Sequence, residues 1–291
     1  MTVLLLGGSG YIGRHLRESF AAGDIIATYK TRRFADAGYY DALKMDLSDI
    51  IPSKPEITHA VIMYGETNLD WCKSNPVSSY ETNVTSIKSV IDQLAVLGIK
   101  PVFISSDYVF AADKGCYEET DATAPETVYG AHKVEVEQHL AAFDHYLILR
   151  LAKVVGTQAH DGTLLTDWLQ QILQGDMIWC ADQKLSPIHI TDVVRGAKIA
   201  IEQNLSGIYH LANPEAWNRV DLLQALYDCL GVAAEIRRCE LAELNLVETR
   251  PADLSMNPYK FMAATEITFK TMEECCKELC RREKTRIHPP D

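Results

Sequence analysis

The first twenty residues leave a chain like this little choice of fold. Val3, Leu4, Leu5 and Leu6 form an uninterrupted apolar run, the mark of a strand buried on both faces of a parallel sheet. Gly7, Gly8, Gly10 and Gly13 follow at once, and Ile12, Leu16 and Phe20 then recur every four residues. That spacing gives the next segment one apolar face and predicts a helix packed back on the sheet. In the order strand, glycine turn, helix, each glycine has a physical reason: a tight turn, a close approach of backbone N–H groups to a pyrophosphate, and near contact of helix and strand at Gly13. The unpaired N–H groups and the dipole at the helix N-terminus favour negative charge. The stretch therefore predicts a dinucleotide site, against the alternative of a glycine-rich turn with no ligand.

Ile25 to Tyr29 reads as the second strand, and its end decides the cofactor. NAD-binding versions of this arrangement carry an acid there for the ribose 2′-hydroxyl, and NADP-binding versions carry a base. Here Lys30, Thr31, Arg32 and Arg33 come with no acid before Asp36, so NADP(H) is expected, with NAD(H) as the alternative. Met45, Asp46 and Leu47 read as the end of a third strand, and His59 to Met63 as a fourth. From Pro76 to Leu97, Val84, Ile87, Ile91 and Leu94 keep helical spacing. Val102 to Ile104 reads as the fifth strand. Strands alternating with helices predict an α/β fold with a doubly wound parallel sheet, and chemistry at the carboxyl ends of its strands.

The fifth strand runs into Ser105, Ser106 and Asp107, and further on come Tyr129 and Lys133. Four residues apart on a helix, the tyrosine and lysine share a face. A free phenol has a pKa of ~10 and is a poor proton-transfer partner at neutral pH. An ammonium ~4 Å away at an effective dielectric of ~20 favours the phenolate by ~4 kcal/mol, about three pKa units. The spacing thus predicts a tyrosine drawn toward working pH by its lysine, with Ser106 on the substrate oxygen.

Composition bounds the rest. With 291 residues, 47% hydrophobic and 23% charged, the chain is of ordinary globular type and can bury a large core. Its net charge of −12 argues against nucleic acid and anionic membranes as partners. No stretch approaches the ~18 apolar residues that span a bilayer, and the run Val3 to Leu6 is too short for a signal peptide, so a cytoplasmic location is expected. The eight cysteines lack any C-x-x-C pair and read as free thiols. Cys275, Cys276 and Cys280 read as one helix face rather than a metal site, and no metal is expected.

Gly7-Gly-x-Gly-x-x-Gly13, Ser105-Ser-Asp-Tyr-Val-Phe110 and Tyr129-Gly-x-x-Lys133 together resemble the extended short-chain dehydrogenase/reductase family. Within it, the wording after Ser105 is most similar to the dTDP-4-dehydrorhamnose reductases. Pro76 to Asn83, Pro187-Ile-His-Ile-Thr-Asp192, and Arg250-Pro251 followed by Lys260 extend the likeness over nearly the whole chain. The resemblance implies a catalytic trio of Ser106, Tyr129 and Lys133, with Tyr129 giving a proton to a sugar ketone as NADPH gives hydride. It implies Gly7, Gly10, Tyr11, Ile12 and Gly13 at the pyrophosphate, Arg32 and Arg33 at the 2′-phosphate, and Lys30 among the cofactor-binding residues. Asp46, Leu47, Met63, Tyr64, Gly65, Asn83, Ser105, Tyr129 and Lys133 would lie along the rest of the cofactor, and Asp107, Tyr108 and Arg250 against a nucleotide-sugar substrate.

The chain departs from the family pattern in places. Met63-Tyr64-Gly65 replaces Asn-Ala-Ala-Ala, Ala111-Ala112 replaces an Asp-Gly turn, and His132 stands where serine or threonine is common. Tyr108 replaces the glutamate of the related dehydratases, which removes the base for dehydration. A sugar-nucleotide epimerase, and a non-catalytic NADP-binding regulatory subunit like the β subunit of methionine adenosyltransferase, stay open as alternatives. Residues 1–155, with 185–205 returning, are expected to form the dinucleotide domain, and 156–184 with 206–291 a smaller substrate lobe, the site lying in the cleft between them. A homodimer is expected. Trp168, Trp179 and Trp217 read as core rather than as a sugar platform, and His189 as a locally bonded residue.

Overall fold

The computed structural model describes residues 1–51 and 56–287. The chain divides into two compact units. The first comprises Met1–Phe110, Ala122–Arg150 and Val194–Tyr209, and the second Ala111–Asp121, Leu151–Val193 and His210–Asp291.

In the first unit, β1 (Thr2–Leu6) leads through the glycine turn into α1 (Tyr11–Glu18), followed by β2 (Ile25–Tyr29), β3 (Gly38–Tyr39) and β4 (Ile57–Ile62). Val3 to Leu6 are fully buried, as their unbroken apolar run requires. The third strand is not where sequence placed it. Gly38 and Tyr39 pair with Thr28 and Tyr29, while Asp46 and Leu47 open a 3₁₀ turn, Leu47–Asp49. The reason is local: the Asp49 carboxylate accepts the Asp46 N–H at 3.0 Å in a reciprocal capping pair, and such side-chain bonds draw the backbone away from strand geometry. After β4 come α2 (Leu69–Ser74) and a continuous helical run of α3 (Pro76–Tyr80), a π-helical turn (Glu81–Thr85) and α4 (Ser86–Leu97). The expected helix from Pro76 to Leu97 is therefore present, with a π turn at Asn83.

The core strand β5 (Lys100–Ser106), α5 (Val128–Leu140) and β6 (Leu147–Leu151) follow. Thr127 caps α5, its Oγ1 accepting the Gly130 N–H at 3.0 Å. The buried face of α5 carries Tyr129, His132, Lys133 and Glu137 beside Val136 and Leu140, so it is a polar face turned inward.

The second unit is built from shorter pieces: β7 (Val154–Val155), α6 (Leu164–Gln174), β8 (Ile178–Ala181), β9 (Lys184–Leu185) and β10 (Ile188–His189). There α7 (Ile190–Glu202) begins; β11 (Gly207–Leu211) starts in the first unit and ends in the second, where β12 (Trp217–Asn218), α8 (Arg219–Leu230), β13 (Ile236–Cys239), α9 (Tyr259–Thr265) and α10 (Met272–Ile287) follow. Its strands pair two by two, β10 with β7, β12 with β9 and β13 with β8. Leu165, Trp168, Leu223, Leu226, Met272, Cys275, Cys276 and Cys280 share one core cluster, which puts those three cysteines on the apolar face of a helix. Of the tryptophans, Trp168 is core, Trp217 donates its ring N–H to Glu215 at 3.0 Å, and Trp179 is 48% exposed beneath the Arg237 guanidinium. Exposure of Trp179 corrects its reading as core. His189 does bond locally, to Thr191 at 2.7 Å and Thr157 at 3.2 Å.

The large sheet runs β3-β2-β1-β4-β5-β6-β11. Neighbours from β3 to β5 pair in parallel. Strand order thus reverses between β1 and β4, and in open α/β sheets ligands bind outside the carboxyl ends of the strands at that reversal. Among the described residues no helix is long and apolar enough to cross a membrane.

Candidate functional site

A cavity of about 420 Å³ opens at this reversal. Gly7, Ser9 and Gly10 of the first turn form one wall, and residues 28–31 and 40–43 another. Residues 63–66, Trp71, Thr82 and Ser86 complete it. Of the residues expected at a cofactor, Gly7, Gly10, Lys30, Met63, Tyr64 and Gly65 meet here.

The glycines differ in what requires them. A Cβ on Gly13 would stand 2.4 Å from the Gly7 carbonyl, and one on Gly7, at φ +101°, 2.9 Å from the Tyr64 backbone nitrogen. Both are dictated by the chain's own packing. At Gly10 the nearest atom to such a Cβ is 3.5 Å away, an ordinary contact, and its φ is −70°. Nothing in the turn itself demands glycine at position 10, yet Gly10 faces the cavity, so the space it leaves is available to a ligand. The first turn of α1 contains no acid to compete for its N–H groups. The Tyr40 hydroxyl, buried and without a hydrogen-bond partner, belongs to a residue of the same wall. These features fit a pyrophosphate-linked dinucleotide.

Other expected residues stand around the cavity rather than in its wall. Tyr11, Ile12 and Gly13 form the opening of α1. Arg32 and Arg33 are exposed. Asp46 is exposed on its 3₁₀ turn, and Leu47 is buried with its N–H donated to Gln93 Oε1 at 2.7 Å. Asn83 lies behind the loop after β4: its side chain accepts the Glu66 N–H at 2.8 Å and donates to the Glu66 carbonyl at 2.9 Å. Gly65, at φ +147°, leaves no room for a Cβ against Asn83 Oδ1. The asparagine in the π turn thus fixes the cavity floor, a use of π geometry often found at functional sites. The Tyr64 hydroxyl, whose side chain replaces alanine of the family pattern, reaches Ser86 Oγ at 3.2 Å.

The second cluster forms where β5 meets α5. Ser106 donates to Asp107 Oδ1 at 2.8 Å and hydrogen-bonds with the Tyr129 phenol. Tyr108 sits edge-on to Tyr129, ring centres 6.1 Å apart. Tyr129 packs on Leu69 and Cys72 of α2, the helix that also supplies Trp71 to the cavity. Lys133 Nζ donates to the Ile104 carbonyl at 2.8 Å and lies 5.5 Å from the centre of the Tyr129 ring. Ser106, Tyr129 and Lys133 thus stand in one cluster.

Its electrostatics differ from the expectation. Burial, then the charge of Asp107, pushes the Tyr129 phenol well above its usual range, with only the Ser106 bond acting the other way. Burial also pulls the Lys133 ammonium down to about 8, against the upward pull of Glu137. A full lysine charge beside a solvated phenol would favour the phenolate; here both groups are desolvated together, and desolvation disfavours each charged form. Tyr129 accordingly keeps its proton through neutral pH.

Sequence reasoning missed Glu137 and Arg150. Glu137 lies one further turn along α5, on the face of Tyr129 and Lys133, so the same four-residue spacing could have found it. Its carboxylate accepts from Ser105 Oγ at 2.5 Å and from Arg150 at 2.7 Å, both partners buried. Ser105, expected along the cofactor, is held here between Ile104, which receives Lys133, and Ser106, which meets Tyr129. Also missed were Thr28, Tyr40, Asp41, Glu66 and Trp71 of the cavity wall. Arg250 belongs to the second unit, where its guanidinium donates to the Glu248 carbonyl at 2.7 Å.

Known proteins are similar to this chain in sequence and in fold. The dTDP-4-dehydrorhamnose reductase of Mycobacterium tuberculosis is 26% identical over 244 residues, covering 79% of this chain and 75% of that protein. A bifunctional dTDP-4-dehydrorhamnose 3,5-epimerase/dTDP-4-dehydrorhamnose reductase of Arabidopsis thaliana is 24% identical over 85% of this chain and 82% of its own. Among solved structures, a hypothetical dTDP-4-dehydrorhamnose reductase from Sulfolobus tokodaii superposes with a TM-score of 0.84 at 23% identity, over 93% of this chain and 97% of that one. The Bacillus anthracis dTDP-4-dehydrorhamnose reductase, in complex with NADP, does so with a TM-score of 0.81 at 20% identity, over 97% and 100%. With the sheet reversal, the glycine turn and the Ser-Tyr-Lys cluster in place, and with the model of the RmlD substrate binding domain matching residues 1–284, this chain belongs to that family.

Proposed function

We propose that the protein is an NADPH-dependent reductase of a nucleotide-linked 4-keto-6-deoxy sugar, of the dTDP-4-dehydrorhamnose reductase kind. The observation that carries this reading is the buried cluster of Ser106, Tyr129 and Lys133 in the same unit as a cavity walled by Gly7 and Gly10. The reductase names of its relatives and the NADP of a structural neighbour support it.

When bound, the nicotinamide cofactor supplies hydride to the carbonyl carbon. The protein's own residues supply the proton and the setting. Tyr129, protonated at neutral pH, donates from its hydroxyl to the developing alkoxide. The Lys133 ammonium stabilises the resulting phenolate by charge, and Ser106 is assigned to the substrate oxygen. Asp107 orients Ser106, and Lys133 is held in register by Ile104. Gly10 leaves room for the pyrophosphate, and Lys30 of the same wall is assigned to the ribose end. Asp107, Tyr108 and Arg250 are the residues assigned to the substrate.

The test is loss of NADPH absorbance with a panel of nucleotide-linked 4-keto-6-deoxy sugars, run beside Tyr129→Phe. Turnover abolished by the variant is expected. If NADPH binds, no sugar is reduced and the variant matches wild type, the protein acts as a cofactor-binding regulator instead.

A further inference from the structure

β2 ends at Tyr29, and the next residue, Lys30, stands where this fold reads the adenosine ribose. β3 pairs with that end, Tyr39 against Tyr29, and the Tyr40 N–H donates to the Tyr29 carbonyl at 2.9 Å. Asp41 is thereby carried alongside Lys30. Lys30 Nζ lies 2.9 Å from Asp41 Oδ1, and Lys44 Nζ lies 4.0 Å from the other carboxylate oxygen. The Asp41 side chain is 4% exposed and that of Lys30 50%. Both residues line the cavity of Gly7 and Gly10; Arg32 and Arg33 are exposed and outside its wall.

Burial pushes the Asp41 carboxyl upward, but the hydrogen bonds from Lys30 and the Leu43 N–H, with the charges of Lys30 and Lys44, hold it below the usual carboxylate range. The wall thus contains a fixed negative charge that no acid before Asp36 announces. A carboxylate there accepts a hydroxyl and repels a phosphate, unless a cation stands over it. Lys30 is that cation, and it is a compact charge on a flexible stem rather than a planar fork.

We infer that the Lys30–Asp41 pair, rather than Arg32 and Arg33, sets which dinucleotide the cavity takes. Lys30 reads the 2′-phosphate; Asp41 holds Lys30 in place and, uncovered, accepts a ribose 2′-hydroxyl. The inference rests on the cofactor reading given above and adds its selectivity element.

Dissociation constants for NADPH and NADH, measured by nucleotide fluorescence without substrate, test it on wild type, Lys30→Met, Asp41→Asn and the double variant Arg32→Ala/Arg33→Ala, each checked for folding by its melting temperature. Loss of a charge-assisted contact predicts that Lys30→Met weakens NADPH ~10–100-fold while NADH holds within ~3-fold. Asp41→Asn, isosteric and neutral, raises the preference for NADPH over NADH ~3–10-fold, and the double arginine variant leaves that preference within ~2-fold. A double variant that loses the NADPH preference while Lys30→Met keeps it overturns the inference, as does an unchanged ratio in Asp41→Asn. Folded wild type that binds neither dinucleotide removes the cofactor reading itself, and this inference with it.

Discussion

The turn between β1 and α1 and the inward face of α5 lie in one unit and are built in opposite ways. The turn is backbone: Gly7 and Gly13 are fixed by contacts of the chain with itself, and no acid sits in the first helical turn. The α5 face is side chain: Tyr129, Lys133 and Glu137 are all buried, and their protonation is set by what surrounds them. A shape of the first kind is decided within a dozen residues of sequence. A charge state of the second kind is decided by groups far apart along the chain.

Removing the phenol hydroxyl tests this contrast most severely. Tyr129→Phe should lower reductase turnover by ~10²–10⁴-fold, the usual range for a lost proton donor, with NADPH affinity unchanged; equal loss of both would mean that α5 shapes the cavity as well. The glycines provide the next test. Gly13→Ala, whose Cβ would meet the Gly7 carbonyl at 2.4 Å, should cost about 3 kcal/mol in denaturant unfolding. Gly10→Ala should fold with wild-type stability and bind NADPH about tenfold more weakly, a steric loss of ~1.4 kcal/mol. If both variants fold alike, the distinction between a structural and a ligand-facing glycine fails.

On the other side, Lys133 has a folded pKa of about 8, below its unfolded value. Below pH 8 the folded state holds a buried ammonium at full cost, and that cost shrinks as pH rises from 8 to the ordinary lysine range, where the unfolded chain binds the extra proton. Lys133→Met should therefore raise stability at pH 7 by up to about 3 kcal/mol and flatten stability between pH 8 and 10, while wild-type turnover declines as pH passes 8. The smallest expected effect concerns a turn where the family pattern has glycine. Ala112 occupies φ +57°, so the left-handed turn survives without its usual residue. Ala112→Gly should stabilise the protein by about 1 kcal/mol, read as a rise in melting temperature with no change in activity.

Much of the sheet could be read from residue order. Val3 to Leu6 announce a doubly buried strand, and Pro76 to Leu97 announce a helix, because burial leaves a periodic trace. β3 left none: two exposed residues are a strand only because β2 supplies their partners. The capped turn at Asp46 was mistaken for a strand because it too is short and apolar at Met45 and Leu47. The inward face of α5 carries Tyr129, His132, Lys133 and Glu137, so hydrophobic periodicity is blind to it; only four-residue spacing brought out the tyrosine and lysine. The second unit, with strands of two to four residues, was legible mainly through its helices, α6 and α8.

By itself the sequence determined where the chain must turn tightly and which side chains share one helical face, since both follow from spacing over a few residues. Only the tertiary structure decided that Asp41 would lie against Lys30, that Glu137 would hold Ser105, and that Tyr129 would keep its proton. The physical reason is that desolvation and Coulomb interaction sum over every group packed nearby, and packing brings together residues whose separation along the chain carries no signal.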